Sequence, residues 1–157
     1  MANQVLIFNL GPHRACMELE DVVQVYDSVS FEEIGDVDPA VLGIINIRGQ
    51  SVPLIDIKPR WNQLPRSVEL SDQIVVFKSR GITVSIIVDK VLGTKTVPEK
   101  RIVALADIVD DGLPHKVIAT PDGMMILLDC QRLFSEEFLA PFRQIGIGKG
   151  KGTDQEQ

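Results

Sequence analysis

The sequence predicts an all-β protein with minor helices, built as two small β-rich subdomains that repeat one unit within a single domain spanning residues 1–157. Two observations predict it. Short runs rich in Val, Ile and Leu, bounded by Gly, Pro and polar clusters, recur along the chain as strands do. The runs also recur in order. Gln4-Val5-Leu6-Ile7-Phe8 is answered by Gln73-Ile74-Val75-Val76-Phe77, with Phe8 and Phe77 69 residues apart, and Val22 is answered by Val91 at the same separation. Val29 to Ile34 is answered by Val97 to Ile102 at a separation of 68, and Leu54-Ile55-Asp56 by Leu127-Leu128-Asp129 at 73. One such match is cheap among β-branched residues; the ordered series carries the inference. The subdomains are expected as halves of the chain, 4–61 and 73–140, each small enough to need a core shared with the other.

Each element has a local reason. Val5 to Phe8 reads as a strand that breaks at Gly11-Pro12 and resumes at Ala15-Cys16-Met17. Val22-Val23-Gln24-Val25 has apolar residues at adjacent as well as alternating positions, so it is buried on both faces or presents an apolar strip. A polar stretch through Glu32, Glu33, Asp36, Asp38 and Pro39 follows. Ile44 to Ile47 and Val52 to Ile55 form a hairpin with Gly49-Gln50 as the expected two-residue turn, Gly supplying the positive φ of type II′. Pro53 donates no hydrogen bond, which places its strand at an edge or beside a bulge. Pro59 to Asp72 is a connector. After the repeat begins, Glu99 to Asp110 has a spacing compatible with a short helix. Leu133, Phe134, Phe138 and Leu139 recur at helical spacing, with Ser135-Glu136-Glu137 outward, an expected stop near Pro141, and an aromatic stripe read as core packing. Residues 143–157 read as a flexible Gly/Lys tail that lacks the phosphate-binding pattern.

Composition excludes more than it asserts. Sixteen Lys+Arg against 22 Asp+Glu give a net charge of −6, and the basic patch that nucleic-acid binding needs is not expected. Aromatics at 5% argue against base stacking. No apolar run reaches a membrane span, and no basic segment precedes an apolar stretch at the start, so a soluble cytoplasmic protein is expected. Cys16 and Cys130 form no CxxC cluster and read as buried reduced thiols. His13 and His115 offer no second ligand at metal spacing, so neither metal nor other cofactor is expected.

Catalysis finds one candidate. Asp56 and Asp129 hold matching places in the two units, as the shared-proton carboxylates of a two-lobed β-barrel hydrolase would. The residues that follow, Ile57-Lys58 and Cys130-Gln131, lack the small hydroxyl residue and Gly of such a site. Both aspartates read instead as caps of a strand end or turn. With no GxSxG either, a protein without enzymatic activity is expected. Arg48, by contrast, stands at a hairpin end among nearly uncharged strands, where it reads either as a salt bridge within the fold or a solvated turn charge, or as a cation exposed enough to meet a partner's carboxylate.

The run from Val41 to Asp56, VLGIINIRGQSVPLID, resembles the central signature of CheW-like chemotaxis coupling domains. The resemblance rests on a Gly three residues before an Asn-aliphatic-Arg-Gly turn and on the Val-Pro-aliphatic-aliphatic-Asp strand after it. It extends over residues 4 to 140 through the opening strand and Gly11, Val22, Val84 to Val91, and Met124 to Asp129. It implies two five-stranded SH3-like barrels packed about a shared core, with no catalysis. It further implies an adaptor joining chemoreceptor tips to the regulatory domain of the histidine kinase CheA, within membrane-bound receptor arrays but without inserting into the membrane. By position, Val22, Gln24 and Gly43 are the implied partner-binding residues, with Asn46 and Arg48 on the adjacent turn. Gln24 departs from the family pattern, where an acidic residue is common.

Overall fold

The computed structural model describes residues 2–27, 31–33, 38–61, 69, 71–104, 115–121 and 123–144. Eleven strands and one helix are described: β1 (Ala2–Leu10), β2 (His13–Glu18), β3 (Val22–Asp27), β4 (Val41–Ile47), β5 (Gln50–Ile55), β6 (Gln73–Ser79), β7 (Ile82–Val88), β8 (Lys90–Pro98), β9 (Ile102–Ala104), β10 (His115–Thr120), β11 (Gly123–Leu128) and α1 (Glu136–Gln144). They form a six-stranded sheet in the order β8-β1-β2-β11-β10-β9 and a five-stranded sheet in the order β3-β6-β7-β5-β4.

The two sheets are built alike. In each, an antiparallel hairpin (β1-β2 or β6-β7) has an antiparallel neighbour on its first strand (β8 or β3). Its second strand pairs in parallel with the last strand of a second hairpin, β10-β11 or β4-β5. The registers repeat too. Phe8 pairs with Val91 and Phe77 with Val22; Leu127 pairs with Cys16 and Leu54 with Ser85. The short β9 forms one edge of the larger sheet, its Val103 pairing with Val117 as Glu32 bridges the equivalent Ile44 in the smaller one.

The expected halves 4–61 and 73–140 are not the two sheets. β1 and β2 join β8, β10 and β11, whereas β3, β4 and β5 join β6 and β7. The chain crosses from one sheet to the other through the 3-10 turn Leu19–Asp21, and back again at Asp89. Each sheet therefore takes its first hairpin from one repeat and its remaining three shared strands from the other.

Burial on both faces explains why Val5 to Phe8 of β1 and Ile74 to Phe77 of β6 are continuously apolar. Val5 and Ile7 on one face pack with Cys16, Ile118, Met125 and Leu127 inside the larger sheet. Ile74 and Val76 do the same with Ile45, Val52, Leu54 and Ile87 inside the smaller one. The alternate residues Leu6, Phe8, Val75 and Phe77 enter a third core shared by both sheets, with Leu133, Phe134, Leu139 and Phe142 covering it.

Three local expectations change. The β4-β5 turn is Arg48-Gly49, not Gly49-Gln50: Ile47 pairs with Gln50, and φ is 54° at Arg48 and 85° at Gly49. Positive φ at both central residues is the type I′ pattern, whose twist suits the flanking strands. α1 runs past Pro141 to Gln144, because buried Leu139 and Phe142 on either side of Pro141 hold it on the core. Glu99–Arg101 is a 3-10 turn leading into β9, not the start of a helix; residues 105–110 lie outside the described residues, as do residues 145–157 of the expected tail. Pro53 lies inside the sheet and beside a bulge at Val41/Gly43. Its partner Ile44 directs both backbone groups to Glu32, so Pro53 owes β4 no hydrogen bond.

Candidate functional site

The five sequence-predicted site residues lie in different surroundings. Val22 is half-buried against the shared core. Gly43 is buried beneath the segment 31–33, where a Cβ would lie 2.3 Å from the Glu32 carbonyl oxygen and 2.7 Å from the Phe31 ring. Only glycine lets that segment bond to β4, through Glu32 N–H to Ile44 O at 2.9 Å and Ile44 N–H to Glu32 O at 2.8 Å. Asn46 accepts the Gly49 N–H on Oδ1 at 2.8 Å and so holds the turn. Gln24 and Arg48 face solvent, and Arg48 makes no ion pair among the described residues. Gln24 lies on β3 and Arg48 follows β4, the two edge strands of the smaller sheet.

Asp56 and Asp129 do matching structural work. The Asp56 Oδ1 accepts the N–H of Lys58 at 3.1 Å, and the Asp129 Oδ1 accepts that of Gln131 at 3.1 Å. Each carboxylate closes the turn that ends its own strand. Both cysteines are free and buried. Burial first, and nearby Glu18 second, push the Cys16 thiol up to about 12; burial, with Asp21 and Asp129 nearby, raises Cys130 further.

A groove of about 520 Å³ lies elsewhere, between Asp38 and Ala40 ahead of β4, Ile55, the β6-β7 turn at Arg80, and residues Arg132 to Phe138. Its apolar surface comes from Ala40, Ile55, Leu133, Phe134 and Phe138, and its charged rim from Arg80, Arg132 and Asp38. Arg80 is fixed there, its Nε donating to Phe134 O at 2.7 Å. Arg143 donates from Nη2 to Arg80 O and pairs through Nε with Glu136 at 3.2 Å, tying α1 to the turn. None of the five sequence-predicted residues lines this groove. Its signal was the aromatic stripe of Phe134 and Phe138, which runs into α1. Phe134 stacks on Phe77 and on Phe138 at 6.3 and 5.1 Å, serving the core, while half-buried Phe138 turns toward the groove.

Two further apolar residues face solvent at equivalent bulges. Val23 is skipped where β3 pairs with β6, and Leu92 where β8 pairs with β1; they are 48% and 45% exposed. Both stand on edge strands, one on each sheet. A bulge on an edge strand kinks it and leaves one residue out of the ladder.

The profile of the CheW-like domain matches residues 4–138. The chain belongs to the CheW-like domain family. It is 28% identical over 149 residues to "Chemotaxis protein CheW" of Klebsiella aerogenes, covering 89% of this chain and 86% of that one. Against "Probable chemotaxis protein CheW" of Rhizobium etli the identity is 25% over 136 residues, covering 85% and 88%. Among solved structures it is similar to scaffolding protein TtCheW from Thermoanaerobacter tengcongensis, with a TM-score of 0.79, 25% identity, and coverage of 88% of this chain and 96% of that one. The two-subdomain β fold is thus the fold of this CheW-like domain.

Proposed function

We propose that this CheW-like protein is a non-catalytic adaptor of chemosensory signalling that couples chemoreceptor tips to the histidine kinase CheA at the cytoplasmic face of receptor arrays. The observation that carries the proposal is the family match over residues 4–138, joined by relatives named chemotaxis protein CheW. The geometry supports it. An adaptor needs two separate docking faces on a rigid body, and the shared core supplies the rigidity.

The groove beside Phe138 offers an apolar trough with a charged rim, suited to a helical segment presenting apolar anchors. The edge strands β3 and β8, with Val23 and Leu92 outward, offer apolar contact for a second barrel. Gln24 and Arg48 are solvent-facing polar residues at the edges of the smaller sheet, where they would select a receptor or kinase. A standard interface buries about 800 Å² on each partner. Contacts near μM, about −8 kcal/mol each, suffice in an array because one contact raises the effective concentration for the next.

The test is co-retention of a receptor tip fragment and CheA on immobilised protein. Arg48→Glu is expected to lower retention of at least one partner about tenfold, the scale of one rim charge reversed. Arg48→Asn is the folding control, since Asn tolerates the positive φ of that turn. If folded Arg48→Glu retains both partners like the parent, Arg48 has no docking role. If the parent itself retains neither, the adaptor reading fails.

A further inference from the structure

The groove beside Phe138 differs in charge from the chain around it. The protein carries a net charge of −6, yet among the described residues two arginines and one aspartate line the groove. That aspartate is already committed, since the Asp38 Oδ1 accepts the Ala40 N–H at 2.8 Å. Nearby Glu136 is held by Arg143 at 3.2 Å and by Arg80 Nη1 at 3.9 Å. Arg80 thus shares its charge with Glu136 and spends its Nε on Phe134 O. Arg132 does neither. Its side chain is exposed and makes no ion pair or hydrogen bond among the described residues. Ser135, also on the groove, accepts the Phe138 N–H on Oγ at 3.0 Å, which leaves its hydroxyl proton to donate.

Beside these polar groups the groove is apolar, with Ile55, Leu133 and Phe134 buried and Phe138 half-buried along it. Its volume of about 520 Å³ falls within the span of small-molecule sites, about 300 to 1,000 Å³, which pair an apolar lining with a few convergent polar groups. One uncommitted cation sets the ligand's charge at one. A dianion such as phosphate would meet Asp38 and Glu136 with only Arg132 to offset it, and would leave the apolar lining uncovered. A guanidinium fork matches a carboxylate with two parallel hydrogen bonds. We propose that the groove binds a small amphipathic monocarboxylate, aromatic or medium-chain aliphatic, with its carboxylate on Arg132 and the Ser135 hydroxyl and its apolar body over Ile55 and Phe138. The site goes beyond the adaptor reading and needs no partner protein. Such a ligand would exclude a partner helix from the same trough.

Titration of the isotope-labelled full chain with octanoate and with phenylbutyrate, followed by amide chemical shifts, tests it. Saturable shifts at Ala40, Ile55 and Phe138 are expected, with a dissociation constant below about 1 mM for at least one acid. The tighter of the two identifies the body the groove prefers. Octanol keeps the apolar body without the charge, and acetate the charge without the body; each should bind at least about tenfold more weakly. Arg132→Gln should weaken the acids about tenfold and leave octanol unchanged. No saturable shift at the groove, or octanol or acetate binding as tightly as the acids, would overturn the proposal. So would a folded Arg132→Gln variant that binds the acids as the parent does. The octanol and acetate comparisons use the parent chain alone, so they decide the matter even if the variant fails to fold.

Discussion

At the scale of single residues, two positions show how little room the fold leaves. Gly43 is under the Phe31–Glu32 backbone, and its missing side chain is what permits the bridge between Glu32 and Ile44. Gly43→Ala would press a methyl group against a carbonyl oxygen that cannot rotate away. Overpacking of this kind costs about 2 kcal/mol or more, so a urea midpoint well below that of the parent is expected. Asp21 has the opposite character. Burial, the largest cause, raises its pKa above the usual 3.8, against the lowering effect of its hydrogen bond from Gln131. A carboxyl whose folded pKa is raised binds its proton more tightly in the native state. Its contribution to stability is therefore complete below pH 3.8 and lost as pH rises through the folded value. Asp21→Asn, which keeps an acceptor for Gln131, should melt higher than the parent at pH 7. The gap should narrow as pH falls toward 3.8, as thermal melts across that range would show.

At the scale of elements, α1 carries an unusual cost. Pro141 lies inside it, removes the N–H that would bond the Glu137 carbonyl, and crowds that carbonyl with its ring. The helix survives because Leu139 and Phe142 are buried in the shared core and because Ser135 caps it, its Oγ accepting the Phe138 N–H at 3.0 Å. Sequence reasoning stopped the helix at Pro141 because propensity was all it could weigh; tertiary burial of Phe142 is a non-local fact. Pro141→Ala should restore the missing hydrogen bond and stabilise the protein by about 1 kcal/mol. Differential scanning calorimetry would register this as a higher Tm. The same limit applies to the β4-β5 hairpin. That a two-residue turn containing Gly49 lay there was legible. Its one-residue placement depended on the Asn46 side chain accepting the Gly49 N–H, which no count of apolar residues reveals.

For the molecule as a whole, the repeat was legible and the exchange was not. Phe8 and Phe77, Val22 and Val91, and Leu54 and Leu127 occupy equivalent places in the two sheets, as their spacing implied. The spacing is the same, however, whether each repeat folds on itself or lends its first hairpin to the other. Only the pairing of β1 with β8 and of β6 with β3 decides between them. The groove was hidden for a related reason: Arg80, Arg132 and Phe138 come together only once residues after β11 cover the smaller sheet's hairpin turn.

The exchange makes a prediction that side-by-side halves would contradict. A fragment of residues 1–66 holds β3, β4 and β5 but lacks β6 and β7, so β3 has lost its ladder partner and β5 its parallel neighbour. The same fragment holds β1 and β2 without β8 and β11, leaving both sides of that hairpin unpaired. Residues 67–157 carry the complementary deficits. Each fragment also leaves half of the shared core exposed, with Phe8 in one and Phe77 in the other. Neither should show a cooperative thermal transition alone, since two- and three-stranded pieces with open apolar faces are marginal in water. Mixed in equal amounts, they should regain the near-UV circular dichroism and single melting transition of the intact chain. A cooperative transition in either fragment by itself would show that the repeats fold independently, against the strand order described above.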